Sequence, residues 1–393
     1  MTLHIQSLAF CDFRNYDSLF LADLGKVTVF VGRNAVGKTN IIEGIQLLTA
    51  LTSFRHASTD QLVRHRRDAG QLQAHLTDGN RELDLEVLLQ DHGKRYRLNG
   101  KAKRPADLKG LIPSVIFTPD DLDLVKGAMA RRRTVLDGLG SQVNKNYYVV
   151  RRDYEKVLRH KNKLLKEEAS EALIQSINEM VITCGSQLSC FRAALFARLE
   201  PLLVEHYRTI AGGRETLSAR FVPSWASATG EPEDGEAFLE EGAPWGNDHV
   251  FREVSSFSRD EAREALGRAL HERAAEERAR HRAVVGPQGD RIEFLLDGQN
   301  ASLFGSQGQQ RSIVLAYKLA EAAVIEDILD QKPVLLLDDV MSELDGARRE
   351  ALVESMAKGS QTFITTANLA YFDEGMLARS DIIELPRAES QRS

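Results

Sequence analysis

The first hundred residues alternate between apolar and polar positions. Residues 3–31 alternate with turn breaks, which predicts an antiparallel pair of strands ahead of a short buried strand at 27–31. Two further alternating stretches, 72–76 and 83–89, are broken at Asp-Gly-Asn (78–80), which is typical of a β-hairpin. The pattern therefore predicts an antiparallel β subdomain in this part of the chain.

From residue 130 onward the apolar spacing becomes helical. One helical stripe runs from Tyr147 to Leu164, and a second helix is expected at about 170–210. Helical spacing resumes at Ser258, where Glu261 completes a capping-box pattern. We therefore expect a helix-rich lobe at 129–289, inserted between two halves of an α/β unit at 1–128 and 290–393.

A phosphate-binding loop pattern follows the strand at 27–31. The sequence GRNAVGKT lies between that strand and a segment with helical apolar spacing, which is the context this motif requires. Backbone N–H groups and a helix N-terminus there attract phosphate. Lys38 is expected to reach the β- and γ-phosphates, and the Thr39 hydroxyl to ligate Mg²⁺. The predicted nucleotide-binding residues are Gly32, Arg33, Asn34, Ala35, Val36, Gly37, Lys38 and Thr39.

A second buried strand is predicted at 332–339, and it ends in two carboxylates. Ligands of α/β sheets bind at the carboxyl ends of the strands, so Asp338 is expected to hold Mg²⁺, directly or through water. Asp339 is placed to polarise an attacking water and is the predicted catalytic residue. Adjacent acids also occur in ordinary turns, but the phosphate loop upstream favours the catalytic interpretation.

A third motif, GSQGQQR at 305–311, precedes another helix. Its hydroxyl, its glycine and the helix N-terminus predict a second anion site at Ser306, Gly308 and Gln309. One ATP has a single γ-phosphate, which Lys38 already binds. Either the chain folds both loops around one nucleotide, or a second copy of the chain brings this loop to it.

Composition narrows the class of protein. The chain has 393 residues, of which 42% are hydrophobic and 27% charged, as in a globular protein of two domains. We expect no segment long and apolar enough to cross a bilayer. The three cysteines form no metal-binding pattern and suit a reducing, cytoplasmic setting. An acidic loop at 229–248 is expected to be solvated, and it suggests no function.

The formal charge of −6 argues against a protein that coats nucleic acid by bulk charge, but it leaves room for a local basic groove. Two segments are candidates. Residues 94–104 carry six basic side chains and no acidic ones, and residues 144–166 carry eight basic and two acidic ones. Each segment is either a contact surface for DNA phosphates or an ordinary solvated surface.

The order of these motifs resembles an ABC-type ATPase head, and within that superfamily the chain resembles the RecF family of bacterial recombination proteins. The resemblance covers nearly the whole chain. It rests on FRNY at 13–16, the phosphate loop extended through Asn40, TPDDLDLVKG at 118–127, RRR at 131–133 and SQGQQR at 306–311. It implies that Asn40 also belongs to the nucleotide site. The implied fold is a mixed α/β ATPase head with an antiparallel β subdomain and an inserted helix-rich lobe.

The resemblance also implies a function. ATP would close a homodimer in which the Ser306 loop of one subunit meets the nucleotide held by Lys38 of the other. The closed dimer would bind double-stranded DNA and single-strand/double-strand junctions near gaps, with RecR and RecO, and would help to load RecA. A weak, DNA-stimulated ATPase activity would then release it. Thr366 stands where transporter ATPases carry a histidine that senses the γ-phosphate.

Two other classes compete with this interpretation. The ATPase subunit of a transporter would carry the serine-bearing loop much closer to the phosphate loop, and other SMC-like ATPases need a far longer coiled coil than this insertion allows. A phosphotransferase for small substrates would not need the Ser306 loop. ATP-driven dimerisation and stimulation of the ATPase by duplex DNA discriminate among these classes.

Overall fold

The computed structural model describes residues 2–226, 257–357 and 359–385. The chain divides into two compact units, one made of Met1–Asp121 with Glu321–Ser393 and the other of Leu122–Ala320. We call them the head unit and the lobe unit. The acidic loop predicted at 229–248 lies outside the described residues.

An antiparallel sheet of six strands forms one layer of the head unit. Its alternating pattern buries one face, as expected for a half-covered sheet. The hairpin predicted at 78–80 is confirmed, since Thr77 pairs with Glu82 across it. The strands, in the spatial order β2-β1-β4-β5-β6-β7, are β1 (His4–Phe13), β2 (Tyr16–Leu21), β4 (Gly70–Thr77), β5 (Glu82–Gln90), β6 (Gly93–Leu98) and β7 (Lys101–Lys103).

A parallel sheet of five strands forms the second layer of the head unit. Two neighbouring strands of this sheet, Val334–Asp338 and Thr362–Thr366, are buried along their whole length, which matches a parallel sheet covered on both faces. Because all strands are parallel, their carboxyl ends share one edge of the sheet. In the spatial order β14-β3-β13-β12-β8 they are β3 (Val27–Gly32), β8 (Ser114–Phe117), β12 (Val334–Asp338), β13 (Thr362–Thr366) and β14 (Asp381–Leu385).

Helix α1 (Lys38–Thr49) packs against both sheets, and its apolar side belongs to a hydrophobic core that includes residues of both sheets. Gly44 permits a close approach, because a Cβ atom there would lie 2.5 Å from the Phe10 ring. The shorter helices of this unit are α2 (Thr59–Leu62), α3 (Pro105–Leu108), α12 (Gly346–Ala357) and α13 (Glu374–Leu377).

The lobe unit is mostly helical and contains a small antiparallel sheet of β9 (Leu217–Val222), β10 (Arg291–Leu296) and β11 (Gln299–Asn300). The capping box predicted at Ser258 is confirmed. Helix α11 (Gln307–Leu329) begins in the lobe unit, and the division between the units falls within it. The other helices are α4 (Asp123–Lys126), α5 (Met129–Val143), α6 (Lys145–Lys166), α7 (Glu171–Ala211), α8 (Arg259–Glu272), α9 (Ala274–Ala279) and α10 (Ala301–Phe304).

The compact units divide at different places from the predicted domains. The lobe was expected to end at 289, but the structural unit continues to Ala320. The reason is pairing across a long gap in sequence: β10 aligns with β9 from Arg291 opposite Val222 to Leu296 opposite Leu217. Residues 290–320 therefore pack with the helices that precede them.

Helix α7 contradicts one expectation from the sequence. It is long and apolar enough, by length and composition, to cross a bilayer, so the expectation that no segment meets that criterion was wrong. Half of its most apolar window is buried inside the protein. Its middle carries the buried Arg192, which forms ion pairs with Asp137 and Asp290 at 2.8 and 2.9 Å. These features are those of a core helix.

Candidate nucleotide-binding site

The phosphate loop joins β3 to α1 through backbone conformations and close contacts that few residue types permit. Gly37 precedes the first residue of the helix with φ of 110°, and a Cβ atom there would lie 2.5 Å from the Asn15 amide nitrogen. At Gly32 a Cβ atom would lie 2.6 Å from the Leu385 carbonyl oxygen. Both glycines are therefore required by geometry. Ala35 also has a positive φ, 67°, at the exposed tip of the loop.

The ammonium group of Lys38 lies within the loop. Its Nζ donates hydrogen bonds to the carbonyl oxygens of Gly32, at 2.7 Å, and Arg33, at 3.0 Å. The residue is only 7% exposed. A buried cation and the amino terminus of a twelve-residue helix thus lie at the same end of α1. This arrangement suits a polyphosphate, because both groups favour negative charge.

The predicted magnesium ligands are neighbours in space although nearly three hundred residues separate them in the chain. The Thr39 hydroxyl donates to Asp338 Oδ1 at 2.9 Å. Burial raises the pKa of Asp338, and hydrogen bonds from Thr365 and Thr39 oppose that shift. A hydroxyl and a carboxylate are hard oxygen donors of the kind that Mg²⁺ prefers, so this pair fits the ion. Among the described residues, no group of three or more His, Cys, Asp or Glu side chains is arranged so that it could hold a metal ion.

Asp339 follows β12 in a left-handed backbone conformation, with φ of 56° and ψ of 21°. Its N–H group donates to the Thr365 carbonyl oxygen at 3.2 Å and to the Thr365 hydroxyl at 3.0 Å. The residue is half-buried at the carboxyl edge of the parallel sheet. Strained backbone of this kind persists where surrounding contacts fix it, and such positions concentrate at functional sites.

The FRNY turn between β1 and β2 forms hydrogen bonds with the phosphate loop and with the first turn of α1. Asn15 donates from Nδ2 to the Val36 carbonyl oxygen at 3.2 Å, and its Oδ1 accepts from the Asn40 amide at 2.7 Å. Arg14 forms two hydrogen bonds of 2.8 Å to the buried carboxylate of Glu43. The sequence pattern pointed to this turn but missed Glu43, which holds it against α1.

Arg14 lies in the same turn. Its guanidinium lies between Glu43 and the Gln61 carbonyl oxygen, the latter at 2.8 Å, with the side chain 20% exposed. A fixed, mostly buried guanidinium of this kind ties the β1–β2 turn to α1 and to the segment after it. In this structure Arg14 is therefore part of the framework of the site.

Arg55 is a cation at the site that sequence reasoning missed. Its Nη1 donates to the Asn40 side-chain oxygen at 2.9 Å, and it lies 3.7 Å from Glu43. Its charge also lowers the pKa of Asp338, although less than the hydrogen bonds do. The side chain remains 41% exposed. No motif marks it, because it follows α1 in an irregular segment and comes near Asp338 only through the fold.

The Ser306 loop lies in the lobe unit, at the N-terminus of α11. Ser306 and Gln309 cap this helix reciprocally: the Ser306 N–H donates to Gln309 Oε1 at 2.6 Å, and the Gln309 N–H donates to the Ser306 hydroxyl at 3.2 Å. Gln309 Nε2 also donates to Glu215 Oε1 at 2.8 Å, and the Tyr207 hydroxyl donates to Glu215 Oε2 at 2.6 Å. Ser306 is exposed, whereas Gly308 and Gln309 are partly buried. The approach of this loop to the nucleotide of another copy stays a prediction, as does the role of Gly308.

Thr366 has its hydroxyl engaged within its own turn. The residue is 1% exposed, and the hydroxyl donates to the Asn368 carbonyl oxygen at 2.9 Å while accepting from the Asn368 N–H at 3.1 Å. The neighbouring Thr365, which the sequence did not single out, contacts both predicted acids instead. The sequence offers little warning of this, because two adjacent threonines at a strand end look alike.

Comparisons with known proteins agree with this geometry. The model of the RecF/RecN/SMC N-terminal domain family matches residues 4–384. A protein of Synechococcus sp. (strain JA-2-3B'a(2-13)) named DNA replication and repair protein RecF is 33% identical over 98% of this chain and 96% of its own length. A protein of the same name from Heliobacterium modesticaldum is 33% identical over the full length of both chains.

Solved structures show the same relationship. A structure described as the recombination mediator protein RecF-ATPrS in the RecFOR pathway superposes with a TM-score of 0.82, at 27% identity, over 95% of this chain and 94% of that one. Its RecF-ATP counterpart gives a TM-score of 0.78 over 93% of each chain. An SMC head, at 15% identity and a TM-score of 0.50, shares the fold. These similarities favour the RecF-like interpretation over a transporter subunit, and the chain belongs to the RecF family of the RecF/RecN/SMC group.

Proposed function

We propose that this chain is an ATP-dependent DNA-binding protein of DNA replication and recombinational repair, whose two copies close around duplex DNA when ATP binds. The observation that carries the proposal is the assembly of Lys38, Thr39 and Asp338 at one edge of the parallel sheet. Solved structures of RecF with ATP or its analogue superpose over nearly the whole chain, which supports ATP as the ligand.

The loop residues perform the binding step. The Lys38 ammonium would exchange its two carbonyl acceptors for the β- and γ-phosphates, and the backbone N–H groups of residues 34–39 would surround the phosphate oxygens. Thr39 and Asp338 would hold Mg²⁺, which supplies positive charge to the phosphates when bound. Asn40 and Arg33 complete the expected set.

Hydrolysis would depend on Asp339. Its carboxylate stands one residue beyond Asp338 and is held by the fixed backbone turn at the sheet edge. There it can orient a water molecule and accept its proton. We expect slow turnover, stimulated by DNA, because the activity serves to open the dimer after it has acted.

Dimerisation would use the Ser306 loop. The Ser306 hydroxyl and the first N–H groups of α11 form an anion site that lies in the lobe unit, apart in the chain from the Lys38 loop. A γ-phosphate bound by one copy would complete that site in the other copy. Dimerisation would then require ATP and would be lost after hydrolysis.

The DNA contact must be local, because the chain as a whole is acidic. On α6, several of the basic side chains expected to face DNA have acidic partners: Lys161 pairs with the buried Glu277, and Arg151 lies 2.9 Å from Glu155. On β7, Lys101 and Lys103 are exposed, and neither forms an ion pair with any of the described residues. These two lysines are therefore the stronger candidates for phosphate contacts.

The proposed partners follow from the family. RecR, RecO and the RecA recombinase are proposed to act with the clamp at single-strand gaps, as the RecFOR pathway named for the solved relatives suggests. A cytoplasmic location is proposed as well, and the three cysteines, none of them in a disulfide, suit a reducing compartment.

The decisive experiment compares Lys38→Ala with the wild type by light scattering, with a non-hydrolysable ATP analogue present and absent. Wild type is expected to dimerise only with nucleotide, and Lys38→Ala to stay monomeric, because the phosphate-binding cation is removed. Lys163→Ala, which removes an exposed lysine on α6, serves as the matched control and should dimerise normally. A Lys38→Ala protein that dimerises as wild type does would refute the nucleotide-driven dimer.

A further inference from the structure

The side chain of Thr365, at the carboxyl end of β13, forms hydrogen bonds with both predicted acids. It is fully buried. Its hydroxyl lies 2.8 Å from Asp338 Oδ1 and 3.0 Å from the Asp339 backbone nitrogen. Neither contact belongs to the regular hydrogen-bond pattern between β13 and β12, so the side chain adds a constraint that the sheet alone does not provide.

The hydroxyl has one proton to donate, and its chemistry decides where that proton goes. The charged carboxylate of Asp338 at 2.8 Å is a stronger acceptor than the Leu337 carbonyl oxygen at 3.4 Å. A lone pair then remains to accept the N–H of Asp339. The two acids are therefore connected through a single oxygen atom.

At Asp338, two hydroxyl groups meet on the same carboxylate oxygen. Thr39 donates to Oδ1 at 2.9 Å, and Thr365 donates to the same atom at 2.8 Å. These two donors restrain Oδ1, and with it the side-chain torsions that set the direction of Oδ2. Without Thr365 the side chain would retain a single anchor and could rotate.

At Asp339, Thr365 fixes the backbone. The left-handed conformation, with φ of 56°, is unfavourable for a residue with a Cβ atom and persists only where contacts determine it. The Asp339 N–H is shared between the carbonyl and the hydroxyl oxygens of Thr365. Removal of the hydroxyl would leave the longer of these two bonds, at 3.2 Å.

We propose that Thr365 is a positioning residue, which sets the orientation of the Asp338 carboxylate and the backbone turn of Asp339 for ATP hydrolysis. This inference rests on the proposed ATPase function of the same site. Thr365 acts through the two acids and has no direct role with the nucleotide. Its hydroxyl, rather than its volume, carries the effect.

The test compares Thr365→Val, which removes the hydroxyl at nearly constant volume, with Thr365→Ser, which keeps it. Thr362→Val is the matched control, because Thr362 begins the same strand, is equally buried and donates only to the Ser360 carbonyl oxygen at 3.3 Å. Hydrogen exchange of the Asp339 amide, measured without nucleotide, should accelerate several-fold in Thr365→Val and stay unchanged in the other two variants. Equal exchange in wild type and Thr365→Val would overturn the proposal.

Kinetics provide the second measurement. Thr365→Val is expected to lower kcat about tenfold, while KM and the affinity for ATP change by less than about twofold, since the phosphate loop is untouched. Thr365→Ser should retain most of the wild-type kcat. A decrease in Thr365→Val that is no larger than the decrease in Thr362→Val, or one that Thr365→Ser shares, would assign Thr365 a packing role only. Absence of ATP hydrolysis in the wild type, with duplex DNA present, would instead contradict the proposed ATPase function, so the two failures are distinguishable.

Discussion

At the residue scale, the phosphate loop requires a glycine at position 37. Replacement by alanine would place a methyl group against Asn15 at a φ of 110°, so Gly37→Ala should lower both stability, by about 1–3 kcal/mol, and ATP affinity. Denaturant unfolding and titration with a fluorescent nucleotide measure the two effects.

Gly138 in α5 is the control for this change. It is helical, and a Cβ atom there would meet no other atom within 4 Å. Gly138→Ala should therefore stabilise the protein by about 0.5–1 kcal/mol and leave ATP affinity unchanged. Equal effects of the two alanines would contradict the geometric argument for the loop.

The variant Asp339→Asn should separate ATP binding from ATP hydrolysis. The amide keeps the size of the side chain but accepts a proton poorly, so the variant should bind ATP and dimerise while turnover falls by at least about tenfold. Single-turnover hydrolysis measures the step directly. Turnover at the wild-type rate would move the role of base to another group.

The residues that define the site divide into two kinds. Lys38, Thr39 and Asp338 could be proposed from the sequence because each belongs to a short pattern with a chemical reason, placed at the end of an apolar strand or in the loop and helix after it. Glu43 and Thr365 were not, because an isolated acid in an apolar helix and an isolated threonine in a strand have no distinctive spacing. Their significance appears only when β12 and β13 pair and the β1–β2 turn packs on α1.

At the scale of elements, the N-terminus of α11 is expected to contact the nucleotide that a second copy of the chain binds. Ser306→Arg would place a long side chain at the first turn of this helix, so it should block ATP-driven dimerisation and leave ATP binding by the monomer intact. Ser218→Arg, an equal change at an exposed position of β9, should leave both dimerisation and ATP binding intact. A Ser306→Arg dimer in light scattering would remove this loop from the interface.

The core of the lobe unit contains a buried acid, Asp290, which pairs with Arg192 of helix α7. Burial raises the pKa of Asp290 to about 6, although Arg192 opposes the shift. An acid whose pKa is higher in the folded state takes up a proton on folding, so this group adds stability as the pH falls through about 6.

The direction of this pH dependence can be measured by comparison with a variant that lacks the titrating group. Between about pH 7.5 and about pH 5.5 the wild type should gain about 1 kcal/mol of unfolding free energy relative to Asp290→Asn. Denaturant unfolding at the two pH values measures this gain. A constant difference between the two proteins would show that Asp290 does not titrate in this range.

The elements themselves were mostly predictable. Alternation indicated the antiparallel strands, helical spacing indicated α6 and α7, and apolar runs indicated β3 and β12. The boundary of the lobe was not predictable, because it depends on the pairing of β10 with β9 and on the burial of Asp290 beside Arg192. Contacts between distant segments leave no local period in the sequence.

At the scale of the whole molecule, DNA binding should depend steeply on salt despite the net negative charge. The double variant Lys101→Gln/Lys103→Gln should weaken binding and reduce the slope of log K against log salt by about 2, because two fewer phosphates are neutralised. Arg159→Gln/Lys166→Gln on α6 is the comparison and should change the slope little. A larger effect of the α6 pair would move the DNA-binding surface to that helix.

The head unit is built from two ends of the chain, and this imposes an order on its synthesis. Strand β3 (Val27–Gly32) lies between β14 and β13, the nearer of which begins at Thr362, and β8 (Ser114–Phe117) lies beside β12, which begins at Val334. The ribosome therefore makes the partners of both early strands more than about 200 residues later, and at about 5–20 residues per second the wait is about 10–70 s, during which two apolar strands stay unpaired on the nascent chain. Translation of this protein should therefore rely on holding chaperones until the last hundred residues emerge.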